Sequence, residues 1–189
     1  MAEQLSFLAP APPALPPGFT YRPDFVSPQE EAELAAALAG VEVKPFAFQG
    51  WLGARRVAYF GRRYDFNGGG LGPADPIPDF LQPLRARCAA LLGEPVERLE
   101  HALVTQYAPG APIGWHRDRP VFDAIAGVSL LGPATLRFRR RRPGGFDRAG
   151  LTLAPRSAYA LTGEARSTWE HSIPPVEALR WSVTFRTMR

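Results

Sequence analysis

The stretch "RWSVTFR", residues 180–186, alternates strictly between Arg180, Ser182, Thr184, Arg186 and the apolar Trp181, Val183, Phe185. Successive side chains of a strand point to opposite faces, so this reads as a β-strand with one polar and one apolar face. An exposed edge strand gives the same pattern. A second reading turns the polar face inward. Six residues at about 3.3 Å each put the two arginine Cα atoms roughly 20 Å apart. Two guanidiniums reaching in from those points leave a gap comparable to a small dicarboxylic acid. Guanidinium forks suit carboxylates through planar, bidentate hydrogen bonds.

Working outward, apolar runs punctuated by glycine and proline predict strands at 102–107, 113–118, 125–131, 134–140, 150–154, 157–161, 169–173 and 180–187. The 18 glycines and 21 prolines favour turns and short strands over long helices. Two helices precede this half. In "SPQEEAELAAALAG" (27–40), Ser27 is a candidate N-cap, Pro28 takes the first helical position and Glu30 completes a capping box. Gly40 is placed to stop that helix, and Leu34 and Leu38 give it an apolar stripe. A second helix is predicted over about 79–92, with Phe80, Leu84, Cys88 and Leu91 on one face. Helices followed by many short strands describe an α+β, mainly β, fold built as a sandwich or barrel.

Residues 8–18, "LAPAPPALPPG", predict an extended arm, so 1–18 is expected to be a flexible, proline-rich tail. Residues 41–66 read as short extended pieces rich in aromatics, with Arg55, Arg56, Arg62 and Arg63 among them. "NGGGLGPADPIP" (67–78) reads as a flexible loop. The lone Cys88 cannot form an internal disulfide, which fits a reducing cytoplasm. Neither a signal peptide nor a membrane-spanning apolar run is expected. A net charge of +4 suits an anionic partner or simply a basic, solvated surface.

In "YAPGAPIGWHRDRP" (107–120), glycine and proline disfavour a helix, so a turn running into a strand is expected. Residues i and i+2 of a strand share a face, which offers the His116 imidazole and the Asp118 carboxylate to one point. With 18 carboxylates among 189 residues and three histidines, such a pair arises by chance about one time in three. A third ligand changes that, and His171 in "STWEHSIPP" is the candidate, unless it only caps a turn before Pro174 and Pro175. Two imidazoles and one carboxylate on one side of a metal are the facial triad of non-haem iron(II) oxygenases. Zinc favours a closed four-ligand set or a hydrolytic site. His101 has no matching partner and reads as structural. Iron ligands with two spaced arginines point to an iron enzyme with a dicarboxylate cosubstrate.

The sequence resembles the AlkB family of iron(II)- and 2-oxoglutarate-dependent dioxygenases from about residue 20 onward, most strongly over 103–186. "TQYAPGAPIGWHRD" looks like the family's N-x-Y-x-x-G-x-x-x-G-x-H-x-D segment. "GVSLLGPATLRF" resembles the strand that follows, "LTGEARSTWEHSI" the segment with the last iron ligand, and "RWSVTFR" the R-x-N-x-T-x-R motif. The resemblance implies that His116, Asp118 and His171 hold Fe(II). It implies that Tyr107, Arg180 and Arg186 grip 2-oxoglutarate, with O2 as the second cosubstrate. The implied fold is a double-stranded β-helix, or jelly roll, with two N-terminal helices and a substrate-recognition lid. Residues 19–189 are then one dioxygenase domain, with helices and lid in 19–100 and the catalytic core in 101–189. Thr105 and Ser182 replace two asparagines of the motifs, and each keeps a short hydrogen-bonding group beside the cosubstrate. Arg119 and Pro120 follow Asp118, where many nucleobase-repairing members carry an acidic residue.

The mixture "WLGARRVAYFGRRYDF" (51–66) suits a lid that stacks a flipped base while its arginines meet phosphates. Tyr64 and then Trp51 are the expected stacking residues. The same aromatics also suit the buried face of a small sheet. "RFRRRRPGGF" (137–146) enters a hairpin with Arg137 and Arg139 opposite to Phe138. The run from Arg139 to Arg142 is then a solvated edge or a phosphate track. The expected activity is oxidative dealkylation of N-alkylated DNA or RNA bases, releasing succinate, CO2 and an aldehyde. Two alternatives are oxidation of a protein or small molecule with the same cofactors, and a non-catalytic jelly-roll module that binds nucleic acid.

Overall fold

The computed structural model describes residues 14–48, 51–64 and 70–189. The first half holds strands β1 (Phe19–Arg22), β2 (Lys44–Phe48), β3 (Trp51–Phe60), β4 (Arg62–Tyr64) and β5 (Leu71–Pro73). Helices α1 (Pro28–Ala39) and α2 (Gln82–Leu92) lie within the same half. Then follow β6 (His101–Tyr107), β7 (Ile113–His116), β8 (Phe122–Leu131), β9 (Ala134–Arg142) and β10 (Gly145–Leu153). The chain ends with β11 (Ser157–Leu161), a short helix α3 (Gly163–Ser167), β12 (Glu170–Ile173) and β13 (Arg180–Met188).

Two sheets make the jelly roll. The larger has the order β1-β11-β8-β13-β6-β3-β2, and the smaller has β10-β9-β12-β7. The strand that holds "RWSVTFR" is therefore central, paired antiparallel to β6 on one side and β8 on the other. Every residue from Arg180 to Thr187 is buried, which removes the edge-strand reading. Its apolar face, Trp181, Val183 and Phe185, packs with Leu38 of α1 and Leu84 and Cys88 of α2. The opposite face of the large sheet looks toward the small one. There Tyr107, Ile125, Tyr159 and Leu161 share a second core with Leu136, Phe138 and Ile173. The layers are helix, large sheet, small sheet, and the polar face of β13 sits between the two sheets.

Local chemistry explains the helices. Ser27 Oγ accepts from the Glu30 amide at 3.1 Å, and Glu30 Oε2 accepts from the Ser27 amide at 2.7 Å, so both halves of the capping box form. Gly40 ends α1 with φ −84°, so the stop uses no left-handed residue. Gly93 ends α2 at φ 70°, in the left-handed region. The predicted 79–92 helix begins as a 3-10 turn, Asp79–Leu81, because Pro83 sits in the first turn of α2.

Other boundaries differ from the expectation. The strand predicted over 113–118 ends at His116. The piece predicted over 150–154 starts at Gly145, because the arginine run pairs with it through a hairpin. Within 41–66, β3 is one ten-residue strand rather than several short pieces. Neither β1 nor α3 was legible. Residues 16–18 hydrogen-bond back onto them: the Phe19 amide donates to Pro16 O at 3.0 Å and the Ala165 amide to Pro17 O at 2.8 Å. Residues 1–13 of the predicted arm, Asp65 and Phe66 of the predicted lid, and 67–69 of the predicted loop lie outside the described residues. Among the described residues no helix is long and apolar enough to cross a membrane.

Candidate active site

The small sheet brings the two histidines together. His171 on β12 is the cross-strand partner of His116 on β7, and their rings lie 4.3 Å apart. Facing residues of an antiparallel pair share one face, so both imidazoles point into the space between the sheets. Asp118, just beyond the end of β7, joins them. One ligand atom from each of the three residues lies within 4.8 Å of the others. His116 Nδ1 sits 2.9 Å from Gly114 O, which fixes its proton there and leaves Nε2 free. That Nε2 is 3.8 Å from Asp118 Oδ1.

The other Asp118 oxygen, Oδ2, accepts from Arg186 Nε at 3.1 Å. Burial pushes the Asp118 carboxyl up, but the Arg186 guanidinium, then His171, His116 and Arg166, outweigh it and hold the group well below its ordinary value. The His171 imidazole is pushed down to about 3, first by burial and then by repulsion from His116. The cluster thus presents a charged carboxylate and a neutral imidazole, the protonation states a divalent metal requires. Among the described residues no fourth histidine, cysteine or acid joins it. An open-sided three-ligand set fits a catalytic ferrous ion better than a closed structural zinc site.

The large sheet supplies the rest through its register. On β13 and β6, Arg180 faces Tyr107, Ser182 faces Thr105, Thr184 faces Leu103 and Arg186 faces His101. All of the polar members of these pairs are buried. Gly110 follows Tyr107 with φ 86°, and its amide donates to Val176 O at 2.7 Å, so the motif's first glycine turns the chain between the two sheets.

Arg180 is fully buried, with its guanidinium carbon 4.9 Å from the Tyr107 ring centre. Its Nε donates to Ser129 Oγ at 2.9 Å, while Nη1 and Nη2 are buried without any hydrogen-bond partner. A buried guanidinium with two unused nitrogens is costly, and a carboxylate on those nitrogens removes the cost. This is the fit expected for the far end of a dicarboxylic acid.

A cavity of about 750 Å³ reaches the triad and Tyr107, with Arg180 behind that ring and outside the cavity wall. The triad, Thr105, Tyr107, Ser182 and Arg186 line it, as do Tyr59, Tyr64, Arg55 and Arg119. Tyr64, on β4, carries Arg119 over its ring at 5.3 Å. Trp51 opens β3, but its side chain lies outside the described residues. Arg55, one of the arginines read as part of the lid, is a member of the site, and sequence reasoning missed two others, His101 and Arg166. Arg55 lies over Phe46 at 3.8 Å, inside the cavity. His101, read as structural, has Nδ1 3.4 Å from Arg186 Nη1. Counting back from Tyr107 in steps of two reaches Thr105, Leu103 and His101, so strand alternation was a usable signal for it. Arg166 on α3 donates through Nη2 to the carbonyls of Arg119 and Phe122, both at 2.6 Å, and holds the loop after Asp118. Nothing in "GEARS" announces that role.

The profile of the 2OG-Fe(II) oxygenase superfamily matches residues 18–189. The chain belongs to that superfamily. Within it the oxygenase is AlkB-like. It is 29% identical over 184 residues to an alkylated DNA repair protein ALKBH8 homolog of Arabidopsis thaliana, covering 84% of this chain and 51% of that protein. It is also 29% identical over 171 residues to the mouse tRNA (carboxymethyluridine(34)-5-O)-methyltransferase ALKBH8, covering 86% of this chain and 25% of that one. The chain thus spans about half the length of the first and a quarter of the second. The solved structure of OsALKBH1 superposes with a TM-score of 0.65 at 15% identity, covering 92% of this chain and 98% of that one. A Pseudomonas putida prolyl-4-hydroxylase superposes with a TM-score of 0.59 at 16% identity, covering 91% and 93%. The AlkB-like oxygenase is a dioxygenase whose cofactors are Fe(II), 2-oxoglutarate and O2.

Proposed function

We propose that this oxygenase removes alkyl groups oxidatively from N-alkylated bases of DNA or RNA. In this reading His116 Nε2, Asp118 Oδ1 and a His171 ring nitrogen hold the iron. Arg180, packed on Tyr107, takes the distal carboxylate of 2-oxoglutarate, with Thr105 and Ser182 alongside. Arg186 stands at the metal end and keeps Asp118 charged. Bound there, iron(II) and 2-oxoglutarate supply the oxidation of a substrate C–H bond by O2, with succinate and CO2 as coproducts. One oxygen atom enters the substrate as N–CH2–OH. Its C–N bond then breaks, the nitrogen regains a proton, and formaldehyde leaves.

One observation carries the reading. The cavity that reaches the triad is walled by aromatic rings and guanidiniums, Tyr59, Tyr64, Arg55 and Arg119. Rings stack a base taken out of its strand, and cations meet its phosphates. Residues 41–48 and 51–64 act as the lid, with Tyr64 as the stacking residue. The test is formaldehyde release from methylated single-stranded oligonucleotides with iron and ascorbate. Release from a methylated strand and none from methylated peptides is expected. The opposite result replaces the reading by oxidation of a protein, which Arg119 in the cavity wall favours by drawing an acidic substrate. A cytoplasmic location suits the lone Cys88, which has no cysteine to pair with.

A further inference from the structure

The arginine run of β9 was open to two readings, a solvated edge or a track for phosphates. The strand order decides against an edge, because β9 lies inside the small sheet between β10 and β12. Its side chains alternate as far as Phe138, and the burial pattern is lost beyond it. Leu136 and Phe138 are buried in the core, while Arg137 and Arg141 are exposed and Arg139 is half-buried on the outer face. The register with β10 sets Arg141 opposite Phe146 and Arg139 opposite Arg148, on that same face.

The outer guanidiniums rest on two aromatic rings. Arg137 and Arg139 lie over Trp115 at 5.1 and 4.5 Å, and Arg139 and Arg148 lie over Phe146 at 4.9 and 5.6 Å. Stacking holds a guanidinium flat while its N–H edge stays available. Glu170 pairs with Arg139 at 2.6 Å, and Asp147 takes Arg140 and Arg142. Arg137, Arg141 and Arg148 have no acidic partner among the described residues. Trp115 also lines the substrate cavity, so the strip begins where that cavity opens.

We infer that the outer face of the small sheet is a second nucleic-acid contact, which carries the phosphate backbone of the strand flanking the base in the cavity. The inference rests on the dealkylation reading for its substrate class. Alternate residues of β9 repeat every ~6.8 Å, a step close to that between phosphates of an extended strand. Guanidiniums held over rings along one strand suit the backbone of a single strand, whose phosphates recur at that step.

The test is the triple variant Arg137→Gln, Arg141→Gln, Arg148→Gln, which touches no residue of the metal or cosubstrate site. Binding of a labelled single-stranded DNA with one methylated base is followed by fluorescence anisotropy across a salt series. The variant is expected to bind on the order of tenfold more weakly. Its log-affinity against log-salt slope is expected to be shallower by about 2, at ~0.7 for each phosphate no longer neutralised. Substrate-free 2-oxoglutarate decarboxylation stays as in the parent protein. Unchanged affinity and slope overturn the strip. Loss of binding to phosphatidylserine vesicles with DNA binding intact overturns it as well. Should the triple variant not fold, Arg141→Glu and Arg148→Glu, both at exposed positions, take its place with the same readout. A parent protein that binds the strand but releases no formaldehyde overturns the dealkylation reading and leaves the strip standing.

Discussion

The His101 imidazole is buried against Phe122, with ring centres 4.8 Å apart, and its Nδ1 faces Arg186 Nη1 at 3.4 Å. Burial first, and the Arg186 charge second, push its pKa well below the ordinary histidine value. A neutral ring accepts from the guanidinium, and the guanidinium donates to Asp118, so three residues from distant parts of the chain form one line into the candidate triad. The folded state binds the His101 proton less readily than the unfolded state does. Its contribution is therefore complete above the unfolded value of about 6.5 and is lost as pH falls below that toward the folded value. Metal-free protein is expected to show a falling urea midpoint between about pH 7 and about pH 5. His101→Gln keeps an acceptor for Arg186 without a titrating ring and is expected to make that fall shallower, the remainder belonging to the buried His171; an unaltered fall removes His101 as a source. Arg180 makes a second prediction at this scale. Arg180→Leu removes the two unpartnered nitrogens. The KM for 2-oxoglutarate is expected to rise about 100-fold, since losing a charge-assisted pair costs about 2–3 kcal/mol. The affinity for Mn(II) alone is expected to stay the same. Normal 2-oxoglutarate dependence in this variant contradicts its assignment as a carboxylate partner.

Close approach between strands governs the middle of the large sheet. Gly127 on β8 faces Tyr159 on β11, and a methyl group at 127 would collide with the Tyr159 ring. That ring lies in the core between the sheets and lines the cavity. Gly127→Ala is expected to cost about 1–3 kcal/mol as an overpacked core. It is also expected to raise the KM for 2-oxoglutarate by pressing the ring toward the cosubstrate space; a change in melting temperature with no change in KM separates the two effects and leaves only packing. What the chain shows before folding follows the same division between local and distant. The capping box of α1 and the alternation of β13 are written in neighbouring residues and were readable. The triad was readable only as three candidate ligands with a family's spacing, because the pairing of His116 with His171 depends on β12 inserting between β7 and β9. Elements decided by distant partners were not readable. The four residues of β1 have no periodicity long enough to detect, and their strand exists because β11 offers its edge. Helix α3 is five residues long, too short for a helical stripe.

At the scale of the whole molecule, the two halves of the site belong to different sheets. The three candidate metal ligands come from β7, the loop after it and β12, all on the small sheet. The candidate cosubstrate groups Tyr107, Thr105, Ser182 and Arg180 come from β6 and β13 of the large one. The buried pair Arg186–Asp118 is a direct polar link between the two sets. A ligand that touches both sets draws the sheets together in a way that neither metal nor free diacid does alone. Any ligand bound only by the folded state stabilises it, by about 2.7 kcal/mol at a hundred times its dissociation constant. Because coupling between two ligands is reciprocal, each should also tighten the other. EDTA-treated protein is therefore expected to melt slightly higher with Mn(II), little higher with 2-oxoglutarate, and higher with both than the sum of the two shifts. Arg186→Met cuts the link while leaving all three ligands and Arg180 in place, and is expected to reduce the joint shift to the sum of the separate ones. Additive shifts in the parent protein would show that the two sheets bind their ligands independently, and a joint shift that survives Arg186→Met unchanged would show that the coupling runs through the shared ligand and not through this pair.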